Sequence, residues 1–253
     1  MDKIQVKVLN PEILQETRRM MAVGARLTQQ GHKIYDLDDF MHLYNKPASD
    51  NFVKVMSELP HPTLQHLTKL NIVVVGASRR VLAQLTRHQD NVKFVSASLQ
   101  YSNFAECADV VVPYRLLKDG NARLKYRQAA LQSLETYNDL QEDYDIDNDA
   151  AGYVTPNGMR NVLIISATPF ELKHMISQRV CRRNTDETRY VMLLIWQELY
   201  NLDPILFAPN TTGPFCMKGS CKEGKFACGK LISNIATPTD IIRWDYPLLC
   251  KED

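Results

Sequence analysis

The sequence predicts one α+β domain spanning residues 1–253. Three observations lead there. Two short apolar runs, "NIVVV" and "NVLIISA", have the length and β-branched content of buried strands. Longer stretches between and after them repeat apolar residues at helical spacing. No internal repeat or low-complexity linker divides the chain, which is long enough to bury a sizeable core.

In order, Ile4 to Leu9 reads as a first strand, ended by Asn10-Pro11. Pro11 to Gln29 is helical, with Ile13, Leu14, Met20, Met21 and Val23 as core positions and Gly31 as its stop. "DLDDFMHLYNKPASDNFVKVMSEL" holds two short helices split at Lys46-Pro47, with Asp50 as candidate N-cap of the second. Asn71 to Val75 is a buried strand, and Ser78 caps the helix "RRVLAQLTRH" on its apolar residues Val81, Leu82 and Leu85. Ala108 to Val112 reads as a strand or an apolar helical turn. Asn121 to Gln141 is a long amphipathic helix with Leu124, Leu131, Leu134 and Tyr137 on one side. A turn at Pro156 precedes a second strong strand, Asn161 to Ala167. Glu171 to Val180 and Thr188 to Tyr200 are helical, and the tail from Pro204 reads as ordered loop.

Composition narrows the function. Hydrophobic content of 45% and charged content of 23% are those of a soluble globular protein. A net charge of +1 provides no global field for a nucleic acid or a membrane surface, so neither is an expected partner. The apolar runs fall well short of the ~20 residues of a spanning helix, and the charged start "MDKIQVKVLNPE" is not a signal peptide. Six cysteines in 253 residues fit a reduced cytoplasmic compartment.

Several patterns have two readings. "GASRRV" has one glycine after a strand, so it is neither a P-loop nor a dinucleotide turn. Asp143, Asp145, Asp147 and Asp149 alternate like calcium ligands but lack the glycine and glutamate such a loop needs, which favours a solvated loop. Cys216, Cys221 and Cys228 are three thiols without a paired C-x-x-C or a nearby histidine, which favours a structural loop over a zinc site; no metal is expected. His61 and His66 suit polar or capping roles as readily as ligation. Two basic groups stand out: Arg79, Arg80, Arg87 and His88, then Arg179, Arg182, Arg183 and Arg189. Each adjoins an apolar element. Guanidinium groups at a core edge need anionic partners, and a phosphate-bearing ligand suits them.

These segments, in this order, resemble the flavin-dependent thymidylate synthases along most of the chain. "GARLTQQG" resembles the family's Ala-Arg-Leu helix, and "HPTLQH" a shortened Gly-His-x-Ser/Thr-x-x-Glu-His segment. "IVVVGASRRVLAQLTRH" resembles the strand, turn and Gln-x-x-Arg-His helix that lead into the signature. "DAAGYVTPN", "SATPFELKHMISQRVCRRNTDETR" and "GPFCMKGSCKEGKFACG" resemble later family segments. The resemblance implies a mixed or antiparallel sheet flanked by helices, in a homotetramer whose sites form where subunits meet. It implies methyl transfer to carbon 5 of dUMP, using FAD, NADPH and 5,10-methylenetetrahydrofolate.

It also assigns residues. Arg179 and Ser98 are the expected catalytic pair, Arg179 binding and activating the pyrimidine. His61, Thr63, Arg87, His88, Gln89 and His174 are expected at the flavin. Gln84, Arg87, Ser96, Ser98, Leu99, Gln100 and Arg179 are expected at the nucleotide, and Cys181 is a packed thiol. The departures are specific. Gln89, Gln100 and Gly152 stand where the family has arginine. Thr168-Pro169-Phe170 replaces Asn-Ala-Arg, and Thr185-Asp186-Glu187 replaces Gln-Trp-Glu. Each lost charge-assisted bond is worth ~1.5–3 kcal/mol. Losing two would weaken nucleotide binding by about 10²–10⁴-fold unless Arg80, Lys93, Arg182 or Arg183 substitutes. The departures keep two alternatives open: another pyrimidine nucleotide, or an inactive relative acting in binding or assembly.

Overall fold

The structure, a computed structural model, describes residues 1, 3–59, 61–105, 109–219, 221 and 223–250. The chain begins with β1 (Gln5–Val8), α1 (Ile13–Gln30), α2 (Leu37–Asn45) and α3 (Asp50–Glu58). Then follow β2 (Leu70–Ser78), α4 (Arg79–Leu85), β3 (Val92–Ser96) and the short α5 (Tyr114–Leu117). α6 (Gly120–Glu142), α7 (Asn148–Ala151) and β4 (Arg160–Ala167) come next. The C-terminal part holds α8 (Pro169–Arg179), α9 (Asp186–Leu202), α10 (Pro209–Thr212) and α11 (Pro238–Asp245).

The four strands form one antiparallel sheet in the order β1-β2-β4-β3. Strand alternation divides its faces. Ile72 opposes Ile165, which opposes Phe94, and Val74 opposes Leu163. These residues point inward against α8 and α9, where Trp196, Leu172 and Met175 are fully buried. The other face carries Val75, Val95, Val162 and Ile164, all exposed by 36% or more.

Gly76 is where β2 changes register. Its φ is +81°, and a Cβ there would lie 2.9 Å from the Lys3 carbonyl oxygen. The register shifts between Val75 and Ala77, so the lone glycine of "GASRRV" is a bulge residue, not a phosphate cradle. Beyond the bulge, Ser78 donates its backbone N–H and hydroxyl to the Glu187 carboxylate, at 2.7 and 2.6 Å. That engagement corrects the cap expected there: Ser78 has the N-cap position of α4, but its side chain makes no cap bond.

Four further expectations change. Ser49, not Asp50, caps α3, accepting the Phe52 N–H at 3.2 Å; Asp50 instead pairs with Arg18 at 2.6 Å. On α6, Leu134 and Tyr137 are buried, but Leu124 and Leu131 are exposed, because the helix packs through one short stretch rather than a full stripe. Val110 forms an isolated bridge with Met159, neither strand nor helix, and Ala108 lies outside the described residues. The tail contains α11, which a Thr237/Asp240 capping box starts. Its apolar positions, Ile241 and Ile242, are too few to show a period in the sequence.

Candidate functional site

The first cavity forms where the end of α4 meets the end of α8. Thr168 caps α8 and Pro169 occupies its first turn, which suits a residue without an N–H. One turn apart on that helix, Gln178 and His174 bond through Nε2 atoms at 2.7 Å. Arg179 closes the helix. Its Nη2 donates to the Gln84 carbonyl at 3.0 Å. Gln84 is in the last turn of α4, where carbonyls lack helical partners and attract a cation. Arg179 Nε donates to His88 Nε2 at 2.9 Å. His88 lies three residues past the end of α4, its N–H donating to the Leu85 carbonyl at 3.0 Å, and the chain then turns at Asn91 with φ +52°, a conformation asparagine tolerates.

That bond fixes the protonation of His88. An acceptor Nε2 needs its lone pair, so the imidazole is neutral with its proton on Nδ1. Burial, then the charges of Arg179 and His174, hold its pKa down to about 4. Burial and the neighbouring Arg87 also lower the pKa of Arg179, which stays cationic. Arg87, Gln89, Asp90, Phe170, Glu171, His174 and Gln178 complete the wall of a cavity of about 580 Å³.

A second cavity, of about 440 Å³, is lined by Arg79, Ser98, Leu99, Gln100, Asp149, Gly152 and Tyr153. Ser98 Oγ accepts the Gln100 N–H at 3.1 Å, which fixes the loop. Burial lowers the Arg79 pKa, and its Nη1 reaches the Ala97 carbonyl at 3.5 Å. Gly152 packs under Leu99: a Cβ on residue 152 would meet Leu99 Cβ at 3.3 Å. A larger side chain at 152 would therefore have to displace Leu99.

The expected site residues are thus divided. Arg87, His88, Gln89, His174 and Arg179 share the first cavity; Ser98, Leu99 and Gln100 share the second. The two share no residue. Gln84 and Ser96 line neither, although the Gln84 carbonyl accepts a bond from Arg179. His61 and Thr63 are exposed and also line neither, but their segment touches the first cavity through His66. The His66 ring packs 4.9 Å from Phe170, and its Nδ1 is 3.0 Å from Thr168 Oγ1.

The second basic group does not act as a unit. Arg182 is bidentate on Asp245 at 3.0 Å and donates to the Lys230 carbonyl. Buried Arg189 binds the same carboxylate and the Val180 carbonyl, and Arg183 donates to the Phe226 carbonyl. Asp245 is the anionic partner of both Arg182 and Arg189. Only Arg179 of that group lines the first cavity. Phe170, Gln178, Asp90 and Glu171 there were not among the expected site residues; of these Gln178 had a sequence signal, its i,i+4 spacing from His174. Arg79, from the first basic group, lines the second cavity.

A cationic guanidinium, a neutral imidazole and an aromatic side chain line this cavity, on an antiparallel α+β fold without a glycine-rich loop. Residues 12–205 match the family described as thymidylate synthase complementing protein, and the chain belongs to that family as a divergent enzyme member. A flavin-dependent thymidylate synthase of Geobacter sulfurreducens is 27% identical over 83% of this chain and 88% of its own length. That of Clostridium tetani is 24% identical over 90% of this chain and 94% of its own. The fold is also that of a Helicobacter pylori thymidylate synthase X with FAD and dUMP (TM-score 0.62, 17% identity, 82% of this chain and 99% of that one). A UMP/dUMP methylase from Streptomyces cacaoi bound with 5-Br dUMP shares it equally (TM-score 0.62, 17% identity, 83% and 96%).

Proposed function

We propose that this chain transfers a methyl group to carbon 5 of dUMP, giving dTMP, with FAD as cofactor, 5,10-methylenetetrahydrofolate as one-carbon donor and NADPH as reductant. One observation carries the reading: the cation of Arg179, held by His88 and the Gln84 carbonyl, in a cavity that also holds Arg87, Gln89 and His174. A fixed guanidinium beside a uracil carbonyl would stabilise the negative charge that develops as carbon 5 becomes nucleophilic. His88, kept neutral, holds Arg179 without competing for that charge. Ser98 would bind the nucleotide from the second cavity.

The residues present fit a flavin ring. The cavity volume is that of a cofactor site. Phe170 offers a flat apolar wall, and Arg87, Gln89 and His174 offer donors. When bound, the flavin supplies hydride transfer. Asp90 and Glu171 on the same wall would repel phosphate, so the pyrophosphate belongs elsewhere.

The division of the expected site between two cavities supports a homotetramer in which another subunit completes each site. The exposed apolar strip Val75, Val95, Val162 and Ile164 is a surface that a second copy would cover. Among the described residues no helix is long and apolar enough to cross a membrane, in keeping with the cytoplasmic placement proposed.

Purified protein should be yellow, with a flavin spectrum, and should convert dUMP to a product heavier by one methylene. Colourless protein that FAD does not stabilise would sink the proposal. A second reading rests on the second cavity, where Gln100 and Gly152 leave Arg79 as the only cation among the described residues of the wall. That wall suits a differently placed phosphate or another pyrimidine nucleotide. Product masses after incubation with dUMP, UMP and dCMP separate the two readings.

A further inference from the structure

Gln178 and His174 share one face of α8, and their Nε2 atoms are 2.7 Å apart. An amide nitrogen can only donate, so the imidazole nitrogen that faces it accepts. An accepting nitrogen carries no proton, and the proton of the neutral ring is then on Nδ1. The two tautomers of a free imidazole lie close in energy, so one hydrogen bond of ~0.5–1.5 kcal/mol decides between them. His88, whose Nε2 accepts from Arg179, stands edge-on to His174 with ring centroids 6.2 Å apart. The two imidazoles are therefore fixed in the same way, one by a guanidinium and one by an amide.

The Nδ1 of His174 has no hydrogen-bond partner among the described residues, and the ring lines the first cavity. A donor is left there for a ligand. Gln178 is itself held in place. Its backbone carbonyl, one of the last four of the helix, accepts from Asn184 Nδ2 at 2.7 Å. Behind it lies a third cavity, of about 580 Å³, which Gln178 and Arg179 share with the first. Four cysteines line that cavity: Cys181, Cys216, Cys221 and Cys228. Thiols are weak partners for an amide, and the Gln178 amide bonds His174 instead.

We infer that Gln178 is a positioning residue: it holds His174 as the Nδ1–H tautomer and so makes His174 a hydrogen-bond donor to the ligand ring in the first cavity. The inference rests on the proposal that the flavin ring occupies that cavity. The ring carbonyl oxygens and unprotonated ring nitrogens of a flavin are acceptors, and an Nδ1–H matches them. A carboxylate at 178 would do the reverse. It would accept from His174 Nε2–H and leave Nδ1 a bare acceptor, which repels an acceptor on the ligand.

The test is ¹⁵N NMR of the His174 ring in the full chain at neutral pH, with and without added FAD. Without FAD, the unsubstituted chain should carry the proton on Nδ1. Gln178→Met keeps the length of the side chain without a donor, and should give a mixture of tautomers. Gln178→Glu should move the proton to Nε2. Added FAD should shift the Nδ1–H resonance downfield in the unsubstituted chain. It should bind Gln178→Met roughly 10-fold more weakly, the loss of about one hydrogen bond. A proton on Nε2 in the unsubstituted chain, or an unchanged Nδ1–H in Gln178→Met, overturns the inference. So does FAD that binds without moving the His174 resonance. Protein that binds no FAD would sink the flavin reading, while the spectra without FAD still decide whether Gln178 sets the tautomer. If the variants do not fold, the position of the proton in the unsubstituted chain and its response to FAD decide alone.

Discussion

Arg179 donates to His88 across 2.9 Å, a cation bonded to an imidazole that has to be neutral to accept. This pair joins the last residue of α8 to the turn after α4, and it sets the pH behaviour of the first cavity.

The His88 pKa is down at about 4 in the folded chain, against 6.5 ordinarily. Between those values the unfolded chain binds more protons, so stability rises with pH across the window. The contribution is complete above about 6.5 and is lost as pH falls towards 4. A protonated His88 would also repel Arg179. Activity should fall on acidification with an apparent pKa below that of an ordinary histidine. NMR of the His88 ring protons should report the same midpoint; a midpoint near 6.5 would refute the neutral-acceptor arrangement.

Arg179→Lys keeps the charge but cannot bond His88 and the Gln84 carbonyl in the same fork geometry. A loss of roughly 10²–10³ in kcat is expected, the size of one missing oxyanion-type donor. Circular dichroism should be unchanged and FAD should still bind. Unchanged kcat would remove Arg179 from the chemistry.

Gln100→Arg should place a guanidinium on the second cavity. One new charge-assisted bond, ~1.5–3 kcal/mol, should tighten a nucleotide monophosphate by about 10–100-fold, read as Kd for dUMP. Gly152→Arg alone should not, because its Cβ would meet Leu99 at 3.3 Å. Combined with Leu99→Ala it should. Equal affinities in all variants would place the phosphate elsewhere.

Lys173 is 5% exposed, and its Nζ has no hydrogen-bond partner among the described residues. Burial, then the nearby Lys218, push its pKa down to about 7. The unfolded chain holds the proton up to about 10.5, so stability rises with pH between 7 and 10.5. The burden is therefore greatest below pH 7. Lys173→Met should stabilise the protein by about 1–3 kcal/mol there, with the gain shrinking towards pH 10. Thermal melts at pH 6 and pH 9 check both sign and trend; a lower Tm at pH 6 would contradict it.

The sequence by itself determined the central strands, the long helices and the family. Runs such as "NIVVV" and the spacing of residues in "ELKHMISQR" depend on local periodicity, which needs no partner to be read. Motif resemblance marked His88 and Arg179 for one site, and they share one cavity. Tertiary structure decided what each residue faces. Arg182 and Arg189 read as phosphate ligands until Asp245, far along the chain, took them. Ser78 read as a cap until Glu187 accepted its hydroxyl. Ser98 and Arg179, matched to one site, line separate cavities. Cys181 became the fourth thiol of a cavity only when α8 ended beside the loop. In each case the deciding partner is remote in sequence, and its charge or carbonyl has no local pattern to announce it.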